Sequence, residues 1–322
     1  MIDFVTTLAI GTAVIMGYLS VNVLFLVWLE RKVSAYIQRR LGPMEVGPQG
    51  TLQTVADMLK LLGKQLLTPI AADKAVYWLA PVMVFIPTLC LASLIPLSGA
   101  EAFADQPYGL VVIIALSGLT VIAIFMAGWA SNNKYAVLGG MRSVAQVIAY
   151  EVPVLLAALS VVLIAGTMNL RGIADAQAHG GVGLPFLLLQ PVAAVLYFIG
   201  ITAETNRAPF DIPEAESELV GGFHTEYSGM RFALFFFAEY TNMLVLGALG
   251  ATLFLGGWHG PWLPGPVWLL LKAYALVAVM MWMRWTFPRL RFDQLMSFAW
   301  KLLIPVALVN LVVTALVLAV WR

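Results

Sequence analysis

Apolar residues run along this chain in long unbroken stretches rather than alternating with polar ones. Those at about 4–29, 76–97, 109–129, 146–166, 184–203, 231–256, 265–286 and 301–320 each approach the roughly 20 residues that carry a helix across a hydrocarbon core. Backbone groups in lipid need internal partners, which leaves helices or a closed barrel, and barrel strands would alternate in character. The pattern therefore predicts an all-α integral membrane protein: a bundle of about eight transmembrane helices, with residues 1–322 forming a single transmembrane domain. Between the first two stretches, Leu52, Val55, Leu59, Leu62 and Leu66 recur three and four apart, opposite Gln53, Asp57, Lys60 and Lys64. That spacing predicts an amphipathic interfacial helix over about 51–67, either a lipid-surface helix or a ledge for a soluble partner.

Composition agrees with this reading: 61% of residues are hydrophobic and 11% charged, which excludes an ordinary soluble fold. The net charge of +1 hides an asymmetry. With eight crossings, the first, third, fifth and seventh loops hold Arg31, Lys32, Arg39, Arg40, Lys60, Lys64, Lys74, Lys134, Arg142, Arg207, Arg231, Arg284, Arg289, Arg291 and Lys301, whereas the other loops hold Arg171. The positive-inside rule then places the odd loops in the cytoplasm and both termini outside. The first stretch lacks a basic leader and ends in Glu30-Arg31-Lys32, so it reads as a retained helix. The single cysteine, Cys90, supplies no disulfide, zinc or iron–sulfur framework, and His179, His224 and His259 fall in expected loops rather than at the depth a haem would need. No metal, haem or iron–sulfur ligands are expected in this chain.

Charges at membrane depth are costly unless they face a partner or a cavity, so each is a candidate for function. Glu151 stands near the start of the fourth stretch, Glu204 closes the fifth, and Glu239 lies about two turns into the sixth. Burial can bring a carboxyl into the range where it exchanges protons near neutral pH, which makes the three a candidate proton route; structural neutralisation by an arginine is the alternative. The loop over about 204–230 carries Glu204, Asp211, Glu214, Glu216, Glu218 and Glu226 against Arg207 and Arg231. Close carboxylates titrate as a coupled set. Pro209, Phe210, Pro213, Phe223 and Tyr227 favour a packed segment over a solvated turn.

Three stretches occur in order: ERKVSAYIQRRLGP from Glu30, SNNKYAVLGGMRSVAQVIAYEVP from Ser131, and AETNRAPFDIPEAESELVGGFHTEYSGMRFALFFFAEY from Ala203, with FPRLRFDQLMSFAWK from Phe287 extending the match. On these the chain resembles the H-subunit family of bacterial NADH:quinone oxidoreductase, respiratory complex I, over nearly its whole length. The resemblance implies eight spanning helices at the junction of the membrane and peripheral arms in a bacterial inner membrane, with quinone as the substrate and the iron–sulfur cluster held by a neighbouring protein. Partners so implied are the peripheral-arm quinone-site and iron–sulfur subunits, small membrane-arm subunits and antiporter-like subunits, with membrane lipid and no nucleic acid.

The resemblance further implies that Glu151, Glu204 and Glu239 carry protonation changes away from a quinone cavity. Asp211, Glu214, Glu216, Glu218, Glu226 and Tyr227, with Arg207 and Arg231, match an acidic loop beside that cavity. Arg31, Gln38 and Arg40 match its entrance, and Arg142, Arg289, Arg291 and Asp293 match a charged cytoplasmic surface. The homologous membrane component of an energy-converting hydrogenase or ferredoxin-fed complex shares this architecture, and a stand-alone cation/proton transporter is a further reading, although no inverted repeat supports it. Two positions depart from the family pattern. Gly42-Pro43 is followed by Met44-Glu45 where an asparagine and an arginine are usual, and Lys64-Gln65-Leu66 stands where Lys-Glu-Asp is usual. Both bear on partner contacts rather than on the carboxylates.

Overall fold

The first apolar stretch forms α1 (Ile2–Ile37) and runs about eight residues beyond its hydropathy boundary, because nothing in Glu30-Arg31-Lys32 breaks a helix. At 1.5 Å per residue it spans about 54 Å, so its last turns leave a core of roughly 30 Å. The computed structural model describes residues 2–98, 105–178, 184–213 and 216–321, without the side chains of 2–5, 8, 216, 217 and 321. Glu214, His179 and the Glu216 side chain thus lie outside the described residues.

The amphipathic segment is helical as α2 (Gln53–Gly63), shorter than the expected 51–67 because Lys64 turns extended after Gly63. Its polar side faces inward through Asp57, which pairs with Arg31, while Val55, Leu59 and Leu62 are exposed, the orientation of a helix with its apolar stripe turned to lipid. Then come α3 (Lys74–Leu94), α4 (Gly109–Ala130) and α5 (Lys134–Ala165). A short α6 (Leu170–Ala178) precedes one turn, α7 (Phe186–Leu189), and α8 (Pro191–Glu204); the sequence then forms α9 (Glu216–Leu219), α10 (Met230–Phe254), α11 (Gly265–Thr286), α12 (Phe292–Phe298) and α13 (Ile304–Trp321). A π-turn at Ala299–Leu303 joins the last two into one continuous crossing that begins earlier than the expected residue 301.

Seven of the described helices are long and apolar enough to cross a membrane. The remaining crossing is α7–α8, broken at Gln190, whose backbone (φ −130, ψ 57) leaves the helical region just before Pro191. A break at membrane depth is tolerated where protein satisfies it. Gln190 is buried, donates to Thr314 Oγ1 at 2.8 Å and accepts from Asn310 Nδ2 at 3.0 Å, which ties the break to α13.

Loop-to-loop bonds show that this short piece does cross. At one end, here the polar end, Asp73 N donates to Ala130 O at 3.0 Å, Leu67 N to Ser228 Oγ at 3.2 Å and Leu290 N to Pro209 O at 3.1 Å. At the other end Arg171 pairs with Asp105, and Gly256 N donates to Gln177 Oε1 at 2.8 Å. Loops on either side of α7–α8 fall at opposite ends, so this broken piece joins the seven long helices as an eighth crossing among the described residues.

α10 is the most buried of the seven long helices, and one apolar cluster built around it extends from Val23 to Ala307. Close backbone approaches fix the polar end. A Cβ on Gly139 of α5 would lie 2.8 Å from Gly222 Cα, so only glycine lets the turn Gly222–His224 seat against α5. Gly139→Ala should therefore destabilise the fold by about 1–3 kcal/mol. Gly17→Ala, with nothing within 4 Å, is the control and should leave it unchanged. Thermal unfolding of the detergent-solubilised complex reads the difference.

Candidate functional site

Two acidic and two basic side chains converge in the buried polar half of the bundle. Glu30 from α1 is almost fully buried and accepts hydrogen bonds from Arg284 of α11 and, at 2.7 Å, from the Tyr240 hydroxyl of α10. Arg207, in the turn after α8, reaches Glu30 Oε1 at 3.4 Å and Glu239 Oε1 at 3.0 Å. Its guanidinium lies 4.5 Å from the centre of the Tyr240 ring. Two carboxylates and two guanidiniums thus neutralise one another, the condition under which buried charge is tolerated.

Local geometry places Arg207. The chain leaves α8 through Asn206 at φ 50, Arg207 N donates to Thr202 O at 3.2 Å, and fully buried Gln146 of α5 donates to Ala203 O and Phe210 O, both at 2.8 Å. The same turn leaves Glu204 buried at the end of α8.

Glu204 and Glu239 face a common cavity of about 140 Å³, which His224, Asn206, Thr205 and Asn242 also line. The Oδ1 of Asn242 is buried without a hydrogen-bond partner among the described residues. A space of this size and polarity takes water. Glu151 is not part of this lining; it accepts from Ser117 Oγ at 3.4 Å and lies near enough to Glu204 for their charges to interact. The structure therefore brings Glu204 and Glu239 to one cavity and sets Glu151 near Glu204 but outside it.

A second, larger cavity of about 540 Å³ opens between α1, α2, α3 and α10. Its walls are apolar, including Val27, Met58, Phe85 and Phe237, and its polar rim holds the Arg31–Asp57 pair, 2.5 Å apart, with Lys60. Phe232 and Phe236 line both cavities, so one aromatic wall of α10 separates them. Gln38 and Arg40, grouped with Arg31 by the sequence, do not line this cavity; Arg40 Nε donates to Gln38 Oε1 at 2.6 Å on the surface beyond α1.

The acidic loop is packed where it is described: Phe210, Ile212, Phe223 and Tyr227 are buried. Its described charges are tethered outside the loop. Asp211 pairs with Arg289 at 2.9 Å, and Glu218 with Arg142 of α5 at 2.8 Å. Glu226 accepts from Asn133 Nδ2 at 2.6 Å, and Tyr227 stacks on Tyr77 at 4.2 Å. Arg231 belongs less to the loop than to the α2–α3 linker: it donates to Thr68 Oγ1 at 2.8 Å and covers the Trp78 ring. Arg291 and Asp293 pair with each other in solvent. Met44 and Glu45 are exposed, as is Gln65, whose carbonyl accepts from Ser228.

Burial pushes the Asp211 carboxyl up, against the pull of Arg289, Arg284 and Arg207, and pushes the Tyr227 hydroxyl up. The hydrogen bond and charge of Arg142 hold Glu218 below its ordinary value. Desolvation pushes His224 down, although Glu239 and Asp211 oppose this.

Glu30, Arg284, Tyr240, Gln146 and His224 are members of the site that the sequence does not single out. For Glu30 the signal is present, a lone acid directly after an apolar run, but a helix end expected at residue 29 puts it outside the membrane. Among the described residues no group of three His, Cys, Asp or Glu side chains could hold a metal ion.

Two outcomes test this geometry. Arg207→Leu strips a partner from Glu239 and another from Glu30, and should cost about 3–5 kcal/mol in thermal stability, with much of the loss recovered in the double variant Arg207→Leu/Glu239→Gln. For the loop, the contribution of Glu218 is fully present above the ordinary carboxylate range and is lost as pH falls through its lowered value. Limited proteolysis near residue 218 should therefore accelerate below about pH 4 in the wild type and be less dependent on pH in Glu218→Gln.

Residues 10–315 match the family model described as NADH dehydrogenase. The chain is 51% identical to the NADH-quinone oxidoreductase H subunit of Geobacillus thermodenitrificans, covering 94% of this chain and 91% of the relative. It is 50% identical to one such H subunit, numbered 1, of Geobacter metallireducens, covering 91% of each. With the H subunit of Dehalococcoides mccartyi it shares 45% identity over 98% of this chain and 88% of that one. At this identity and coverage, this multi-pass membrane chain belongs to the NADH dehydrogenase family, among the H subunits of NADH-quinone oxidoreductase.

Proposed function

We propose that this chain is the membrane component of a proton-pumping NADH:quinone oxidoreductase that forms part of the quinone cavity and couples quinone reduction to proton translocation. The observation that carries this reading is the shared wall of Phe232 and Phe236, with an apolar cavity on one side and the carboxylates Glu204 and Glu239 on the other. A cavity of about 540 Å³ with apolar walls and a charged rim suits a long hydrocarbon tail with a polar headgroup at its mouth.

The headgroup is reduced at the polar end, beside an iron–sulfur cluster of a neighbouring protein. Its change of charge acts on Glu30, Arg207 and Arg284 and on the loop acids. When Arg207 shifts toward Glu30, Glu239 loses its counter-ion and takes up a proton; the charge change then reaches Glu204 through the shared cavity and Glu151 through their mutual field. The polar end carries most of the basic residues and therefore faces the cytoplasm of a bacterial inner membrane, with both termini outside. Peripheral-arm subunits dock on that end, and small and antiporter-like membrane subunits accept the coupling along the bundle.

Glu204→Gln and Glu239→Gln should each lower proton pumping in proteoliposomes while the complex still assembles; full pumping by the double variant removes the carboxylates from the route. Ala233→Trp, which narrows the larger cavity, should raise KM for a long-tailed quinone and leave a short-tailed analogue near wild type. Equal effects on the two would place the tail elsewhere.

A further inference from the structure

We infer that His224 is a proton-relay residue linking the acidic loop to the cavity that Glu204 and Glu239 share. The inference rests on the proposed coupling function and adds a carrier between its loop and its membrane carboxylates. His224 ends the single turn Gly222–His224, which Gly139 seats against α5. Although it belongs to the loop in sequence, its ring is turned into the bundle, edge-on to Phe223 and Phe232, and lines the cavity.

The charged groups about it come from two elements. Asp211 acts on it from its own loop, and Glu239 acts from α10 with Arg207 as counter-ion. Glu204 of α8 faces the same cavity. The elements α3 and α4 contribute Thr88 and Thr120 to this wall and no titratable group.

Position and chemistry together suit transfer. Desolvation favours the neutral ring, and neutral imidazole both accepts and donates a proton. In one transfer the unprotonated ring nitrogen accepts a proton, relayed by water, from the Asp211 carboxylic acid, which becomes a carboxylate, and the other nitrogen releases its own proton to cavity water or directly to the Glu239 carboxylate. The ring ends neutral with its tautomer exchanged, the carboxylate becomes a carboxylic acid, and rotation of the ring resets the relay. A purely structural histidine, fixed by aromatic edges, would need neither the cavity nor carboxylates from both the loop and α10.

The test uses the assembled complex in proteoliposomes. His224→Asn and His224→Ala should slow proton pumping and the quinone turnover linked to it about tenfold or more near neutral pH, and both should alter the pH profile of turnover. Added imidazole should restore part of the rate in His224→Ala and none in His224→Asn, whose side chain fills the space. The asparagine variant carries the test where the alanine variant does not assemble. Wild-type rate and pH profile in assembled His224→Asn would overturn the inference. So would a slowed rate with an unchanged profile and no imidazole rescue in an assembled His224→Ala, which marks a structural role. Loss of pumping in Glu204→Gln and Glu239→Gln alongside a normal His224→Asn rejects the relay alone; full pumping in all of them rejects the coupling function as well.

Discussion

Arg207 is held between two carboxylates, and the polar half of the bundle is arranged around that contact. It reaches Glu30 at 3.4 Å and Glu239 at 3.0 Å, while Arg284 supplies the second positive charge. Charges withdrawn from water are tolerated only as mutually satisfied sets. The set is complete only when α1, the turn after α8, α10 and α11 converge. Continuation of α1 through Glu30 and the clamp of Gln146 on both sides of the turn that carries Arg207 meet that requirement. Burial of Glu204 follows from the same turn.

A neutralised cluster of this kind is also responsive. Its members share partners, so a change of charge at one redistributes contacts among the others rather than being screened by solvent. Glu239 of the cluster lines the smaller cavity, whose mixed walls come from α3, α4, α5, α8 and α10, and Phe232 and Phe236 separate that space from the apolar cavity bounded by α1, α2, α3 and α10. On the proposed function, events in the apolar space would reach the smaller one through charge without mixing their contents. Among the described loop acids, Asp211 is tied to Arg289 before α12, and Glu218 and Glu226 to α5 and its N-cap.

The crossings, their alternation and the inward-facing carboxylates were legible because each follows from hydropathy and the cost of isolated charge in lipid. The break at Gln190 was not, since Gln190-Pro191 interrupts an otherwise apolar run whose length still suffices to cross; only the approach of Asn310 and Thr314 makes the interruption stable. Arg207 and Arg231 look equivalent in the sequence, flanking one acidic loop. The fold separates them, one into the buried cluster and the other onto Trp78, because the turn after α8 points inward whereas Arg231 starts a helix beside the α2–α3 linker. His224 illustrates the same limit: its place in an expected loop marked only that it was not at the depth of a haem, whereas the Gly139–Gly222 approach turns the ring into the bundle. Gln38 and Arg40 share a motif with Arg31, yet only Arg31 faces the cavity, because the helix ends at Ile37.

The central claim is that quinone chemistry changes the protonation of Glu239 through Arg207. Redox-induced infrared difference spectroscopy of the whole complex, oxidised against NADH-reduced, tests it most directly. The account predicts a carboxyl band in the wild type that disappears in Glu239→Gln and is displaced or lost in Arg207→Leu. A difference spectrum with the same carboxyl bands in all three would show that Glu239 does not change protonation with quinone reduction, and would contradict it.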